Sequence, residues 1–126
     1  MNAIQDHSGG GSDGFLTKLS PQGNILYSTY LGGAGDDFAT RFALNPAGNV
    51  YVCGSTGSAD IPTVAPLQAA LRGKRDAFAL KIDPAGRLVY STYLGGSGDV
   101  EMGRGIAVDP SGNVYFLYEA YARSRV

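Results

Sequence analysis

The chain has 126 residues, about the length of one domain, and a formal net charge of −1 with acids and bases scattered along it. This balance argues against a nucleic acid or an anionic membrane as the partner. No apolar run reaches the roughly 20 residues of a membrane span. The first residues lack the basic-then-apolar pattern of a signal peptide, and a single cysteine excludes an intrachain disulfide.

The chain is essentially one unit written twice. Residues 27–33 return unchanged as residues 90–96, a shift of 63 positions. Residues 45–52 match residues 109–116 at a shift of 64, so one extra residue lies between Asp99 and Ile106. Self-similarity at a fixed period indicates a repeat architecture.

Three segments follow from this match. Residues 1–12 are predicted to be the tail of an inter-repeat linker, because Ile4 and Gln5 fall on Leu67 and Gln68 at the 63-residue shift. Residues 13–75 are predicted to form the first blade with its linker. Residues 76–126 are predicted to form a second blade that is incomplete and diverges after residue 116.

Each copy reads as four short strands. In the first copy these are predicted at residues 15–19, 25–31, 40–44 and 50–53, from period-2 alternation and from β-branched and aromatic content. Pro/Gly turns separate the strands within each pair, and Gly32–Asp37 forms a loop. At least one glycine in each of the pairs Gly32–Gly33 and Gly95–Gly96 is expected to have a positive φ. The best helix candidate is a turn or two at residues 66–71.

Four strands per unit favour a propeller over a sandwich or a solenoid. The predicted fold is all-β, with about two four-stranded antiparallel units of a partial β-propeller. The two copies are expected to form matching sheets. Propellers close with four to eight blades, so the chain is predicted to be a fragment of a longer propeller or to complete a ring from several chains. Its expected partners are neighbouring blades or other copies of the chain.

Several motifs, occurring in order and twice, resemble the SBBP repeat, a bacterial β-propeller repeat. They include Tyr90–Gly96 and Ile106–Tyr115, and the first copy adds Gly54-Ser55-Thr56 and Asp60-Ile61-Pro62. NHL-type propeller repeats share the Asp109–Tyr115 part and are a weaker second resemblance. The SBBP resemblance implies a propeller in a large secreted or surface-attached bacterial protein, with no defined catalytic activity. It favours a non-catalytic scaffold or a binding surface for protein or glycan.

The acidic glycine loops at residues 32–37 and 95–101 contain the main candidate binding residues of the chain. Asp36, Asp37, Asp99 and Glu101 are the candidate calcium ligands, since Ca²⁺ prefers carboxylate and carbonyl oxygens. Neither loop has the ligand spacing of an EF-hand. The favoured interpretation is that the aspartates cap the loops by accepting backbone N–H groups, so no metal or cofactor is predicted.

The other candidate residues favour structural roles. His7 is expected in a solvated loop and Cys53 as a small buried hydrophobe. Asp13 and Lys18 recur as Asp76 and Lys81, which indicates construction of the unit because catalytic sites are usually built once. The recurring tyrosines are expected to pack between blades, with an aromatic ligand surface as the alternative; they are Tyr27, Tyr30, Tyr90 and Tyr93. A lyase or hydrolase with its site at the channel mouth, and a calcium-stabilised repeat, remain the alternative functions.

Overall fold

The computed structural model describes residues 3–96 and 100–121. They form eight strands: β1 (Gly14–Leu19), β2 (Ile25–Leu31), β3 (Asp37–Leu44), β4 (Val50–Thr56), β5 (Asp76–Ile82), β6 (Leu88–Leu94), β7 (Val100–Val108) and β8 (Val114–Tyr121). The described residues contain no helix. The predicted all-β fold is therefore confirmed, and the predicted helical turn at residues 66–71 is wrong.

The strands pair out of phase with the sequence repeat. One four-stranded antiparallel sheet has the order β3-β4-β5-β6, and β1-β2 and β7-β8 form two-stranded sheets. Its central pair joins β4 of the first copy to β5 of the second, from Val50 opposite Ile82 to Thr56 opposite Asp76. The expectation that each copy forms its own four-stranded sheet is corrected. The eight strands instead make one complete blade between two half-blades.

The repeat could not reveal this pairing, because it specifies the order of the strands and not their hydrogen-bond partners. Residues 57–75 connect β4 to β5 and allow the two strands to lie side by side. By contrast, the outer edge of β2 is occupied by a backbone hydrogen bond from Tyr30 N to Gln5 O (3.1 Å). β3 pairs with β4 and begins a new sheet.

One Pro-x-Gly turn joins the two strands of each of the four hairpins. The glycine in each has φ between 86° and 89°, which glycine adopts without a Cβ clash; these are Gly23, Gly48, Gly86 and Gly112. A residue before each proline closes the turn: Asp83 Oδ1, for example, accepts from Ala85 N and Arg87 N, both at 2.9 Å.

The prediction of a positive φ within the Gly32–Gly33 and Gly95–Gly96 pairs is wrong. Gly32 and Gly95 are instead required by close approach: a Cβ on Gly32 would lie 2.7 Å from Asp13 Oδ1, and one on Gly95 would lie 2.6 Å from Asp76 Cγ.

The two faces of the complete blade pack differently. One face contributes Val52, Phe78 and Leu80 to the main core, where they meet Tyr27 and Leu31 of the β1-β2 sheet. The opposite face lies against β7 at close range, since a Cβ on Gly103 would be 2.8 Å from Gly54 O. Thr40 Oγ1 also donates to Gly103 O at 3.0 Å.

Candidate functional site: the loop cluster

Three chain segments meet beside the strand ends, and we call them the loop cluster: residues 9–13, 32–37 and 57–60. Asp37 lies at their centre and is buried. Its Oδ2 accepts from Gly33 N and from Ser58 Oγ, both at 2.8 Å, and its Oδ1 accepts from Thr56 Oγ1. The expected role of Asp37 as a loop cap is confirmed by these contacts.

The glycine loop uses its backbone donors internally. Gly33, Ala34 and Gly35 each donate an N–H at 2.8 Å, to Asp37 Oδ2, Asp60 Oδ1 and Ser58 Oγ respectively. Successive N–H groups of this kind can bind an anion when they are free. Here side chains of the same protein hold them, so the loop and the residues after β4 form one hydrogen-bonded unit.

Asp36 is exposed and ties the segments together. Its Oδ1 accepts from Ser12 N at 2.8 Å, and its carbonyl oxygen accepts from Gly57 N at 2.9 Å and from Arg75 Nη1 at 3.2 Å. Arg75 also lies over the ring of Phe38, 5.1 Å from the centroid. Asp36 and Asp37 therefore have different partners although they are adjacent.

The second copy builds a poorer version of the same unit. Glu101 is buried where Asp37 lies in the first copy, and its Oε1 accepts from Gly96 N at 3.1 Å. Ala120 stands opposite Glu101, as Thr56 stands opposite Asp37, and cannot donate a hydrogen bond. Glu101 Oε2 is buried without a hydrogen-bond partner. Asp99 lies outside the described residues.

The recurring aspartates at the strand starts also organise loops. Asp76 is buried, and its Oδ2 accepts from Gln68 Nε2 at 2.7 Å and from Arg72 N at 3.0 Å. Gln68 Oε1 in turn accepts from Gly95 N at 3.0 Å, as Gln5 Oε1 does from Gly32 N at 2.9 Å. Sequence reasoning assigned no role to these glutamines. Their recurrence at the 63-residue shift was the signal.

The remaining candidates occupy separate places. His7 is exposed and contacts Asp6. Cys53 is fully buried, its thiol donates to Gly105 O at 3.7 Å, and burial raises the pKa of that thiol above its usual range. Tyr27 and Tyr93 are core residues, as predicted, whereas Tyr30 is partly exposed. The structure does not bring any of these side chains into one site.

The loop cluster borders a small cavity. Gly32, Asp37, Ile61 and Phe78 are among its lining residues, and its volume is about 20 Å³, enough for roughly one water molecule. Within residues 3–96 and 100–121, no three His, Cys, Asp or Glu side chains come close enough to hold a metal ion together. In the same part of the chain there is no helix that could cross a membrane. The polar groups of Asp37, Ser58 and Asp60 are hydrogen-bonded within the loop cluster, whereas Asp13 Oδ1 is buried without a hydrogen-bond partner.

Comparison with known proteins agrees with this architecture. The family model of the SBBP β-propeller repeat matches residues 26–62 and 89–116, together more than half of the chain. A search of curated proteins found no match. Each matched segment runs from the second strand of a copy to its fourth, and the first also contains the loop cluster's Asp37, Ser58 and Asp60. The chain belongs to the SBBP β-propeller repeat family.

Proposed function

We propose that the chain is a non-catalytic repeat module that presents a binding surface for protein or glycan within a larger secreted or cell-surface bacterial protein. The observation that carries this proposal is the inward use of the polar groups. Asp37 and Asp76 are each at most 1% exposed and accept hydrogen bonds from their own loops. A catalytic carboxylate must reach a substrate, so acids committed in this way favour a structural role.

Repetition supports the same conclusion. The unit formed by Gly33 and Asp37 recurs as Gly96 with Glu101, and that formed by Gln5 and Gly32 recurs as Gln68 with Gly95. A repeated device maintains a blade, whereas function in propellers resides on surfaces and loops that differ between blades.

The experiment compares turnover, binding and stability in the same protein. The purified chain is incubated with a panel of esters and glycans, and it is also applied to a glycan array and to immobilised candidate proteins. We expect selective binding without turnover. The Asp37→Asn variant should be less stable. Turnover that is lost in a folded Asp37→Asn protein would instead support the alternative, a lyase or hydrolase with its site at the channel mouth.

A calcium-stabilised repeat is the second candidate, because Asp13 Oδ1 and Glu101 Oε2 are buried without hydrogen-bond partners. Carboxylate oxygens of this kind suit Ca²⁺. The candidate ligands remain Asp36, Asp37, Asp99 and Glu101. Thermal melting with millimolar calcium, and again after a chelator, tests it: we expect no substantial change in Tm and propose no cofactor. A reversible rise that is lost in Glu101→Gln would favour the calcium-stabilised repeat.

A further inference from the structure

The pairing of β4 with β5 is an internal template for a contact that two other strands can make. β1 is the sequence equivalent of β5 at a shift of 63, and β8 is the equivalent of β4 at a shift of 64. In the complete blade, β4 and β5 each pair on both edges. Among the described residues, β1 pairs with β2 alone and β8 pairs with β7 alone.

The outer edges of β2 and β6 carry hydrogen bonds to linker backbone, unlike the edges of β1 and β8. Tyr30 N of β2 donates to Gln5 O at 3.1 Å, and Tyr93 N of β6 donates to Gln68 O at 3.2 Å. Val64 and Ser91 add a further antiparallel bridge on β6. Proteins commonly cover exposed strand edges in this way because an open edge templates pairing with another chain.

Side chains that are buried in the complete blade are exposed at the equivalent positions of the half-blades. Phe15 on β1 is 69% exposed, whereas its equivalent Phe78 on β5 is 3% exposed. Leu117 on β8 is 67% exposed, whereas its equivalent Cys53 on β4 is fully buried. Leu19 and Tyr115 are likewise exposed, and their equivalents, Ile82 and Tyr51, are buried. The open edges thus carry apolar side chains at positions that a neighbouring sheet normally covers.

We propose that β8 of one copy pairs antiparallel with β1 of a second copy, and that this contact completes a four-stranded blade between the two chains. Transferring the β4–β5 register gives the pairs directly. In this register Val114 lies opposite Leu19 of the second copy, Phe116 opposite Thr17 and Leu117 opposite Leu16.

The side chains fit this register. Lys81 Nζ lies 5.5 Å from the ring centroid of Tyr51 across the β4–β5 pair. The equivalent contact between copies places Lys18 over Tyr115, a cation–π pair. Tyr118 replaces Gly54 and its ring lies 5.9 Å from that of Phe116. Phe15 of the second copy must therefore pack beside Tyr118, not across it as Phe78 does over Gly54.

For the 126-residue chain on its own, the occupant is a second copy because each open edge supplies the strand that the other one accepts. Such a head-to-tail contact is heterologous, and it closes into a ring when the rotation per chain divides the circle. The 126-residue chain on its own contributes the equivalent of two blades, and propellers have about four to eight, so we expect this chain to assemble as two to four copies. The same contact would cover Phe42 and Leu44 of β3, which are both 61% exposed. This inference does not depend on what the module binds.

A disulfide cross-link tests the register. Thr17→Cys and Phe116→Cys are combined in a Cys53→Ala background, because directly opposite residues have Cα atoms about 4.5–5.5 Å apart, within disulfide range. The control pairs Thr17→Cys with Leu117→Cys, one residue out of register and on opposite faces. We expect intermolecular disulfides in the first protein and about tenfold fewer in the control. Equal cross-linking in both proteins, or none in either, would overturn the proposal.

Sedimentation tests the interface without disulfides. Leu117→Lys places a charge at a site that is exposed in one chain and buried in the proposed contact. The control, Val89→Lys, places a charge at an exposed position of β6 that lies outside the proposed contact. We expect a closed oligomer for the wild type and for Val89→Lys, and a single chain for Leu117→Lys. A wild-type chain that is monomeric at high concentration, or assemblies unaffected by Leu117→Lys, would contradict the interface.

Discussion

At the residue scale, single buried carboxylates fix the loops by accepting hydrogen bonds from them. Asp37 accepts three hydrogen bonds in a buried position, and its donors come from Gly33, Thr56 and Ser58. Hydrogen bonds to a charged acceptor contribute more than neutral ones. The side chain therefore links the β2–β3 loop to the end of β4, and its loss should weaken both.

We predict that Asp37→Asn lowers the free energy of unfolding by about 2 kcal/mol, since the neutral amide accepts less strongly and places a donor among donors. Urea unfolding measures the change. Asp83→Asn is the control and should be nearly neutral, because Asn45 closes a Pro-x-Gly turn of the same form through its own Oδ1, which accepts from Asn49 N at 2.9 Å. Equal stability of Asp37→Asn and the wild type would contradict the assigned role.

A second residue-scale prediction concerns pH. Hydrogen bonds from Asn113, first its side chain and then its backbone N–H, hold the pKa of Asp109 below its usual value of 3.8. A lowered pKa means that the folded turn prefers the carboxylate. The stabilisation is therefore fully present above pH 3.8 and is lost as pH falls through the lowered value. An NMR titration of the Asp109 carboxyl carbon measures this. A midpoint at or above 3.8 would be inconsistent with the turn, and Asn113→Ala should raise the midpoint.

At the element scale, the spacing between the complete blade and β7 is set by two facing glycines. A Cβ on Gly103 would lie 2.8 Å from Gly54 O and 2.9 Å from Gly54 N, and both contacts are with backbone that cannot rotate away. Gly105 is two residues further along the same strand, where a Cβ would lie 3.6 Å from the Leu117 Cβ, an ordinary contact.

We therefore predict that Gly103→Ala destabilises the protein by about 1–3 kcal/mol, because the sheets must move apart. Gly105→Ala is the matched control and should be neutral or slightly stabilising, since alanine restricts the unfolded chain. Thermal melting of the two variants provides the comparison. Similar Tm values for both would show that the sheets do not approach as closely as described.

The difference between the two loop units gives another prediction at this scale. The double substitution Glu101→Asp with Ala120→Thr recreates the pair of Asp37 and Thr56 in the second copy. The threonine hydroxyl would donate to the buried carboxylate at position 101, where the wild-type Glu101 Oε2 has no hydrogen-bond partner. We expect a gain of about 1 kcal/mol in unfolding free energy, and no gain from Ala120→Val, which matches threonine in shape. An equal gain from both substitutions would attribute the effect to packing.

At the scale of the whole molecule, stability should depend on protein concentration. Completion of a blade between copies stabilises the folded chain by mass action. A hundredfold increase in concentration should raise the Tm of the wild type by a few degrees, and it should leave the Tm of Leu117→Lys unchanged. A wild-type Tm that is independent of concentration would argue against the assembly.

The sequence by itself determined the strands. Period-2 patterns, Pro-x-Gly turns and the double match located the strands of the first copy and their equivalents in the second, because side-chain alternation and turn chemistry are local. Three bounds were missed: β3 begins at Asp37, β4 continues to Thr56, and β8 continues to Tyr121, beyond residue 116 where the repeat diverges. Local chemistry also identified Asp37 as a loop cap and Cys53 as a core residue. The requirement for Gly32 was recognised, but for the wrong reason: its Cβ would meet Asp13, a contact between segments 19 residues apart.

Only the tertiary structure decided how the strands are shared between sheets. A repeat is periodic, so its sequence is compatible with a blade boundary at any phase. The pairing of β4 with β5 depends on packing across a 19-residue linker. The sequence alone did not identify Ser58 and Asp60 as the hydrogen-bond partners of the glycine loop, since hydrogen bonds between distant segments depend on the path of the chain. The open edges of β1 and β8 were also identified from the tertiary structure, because the pairing of the strands determines which edges are open.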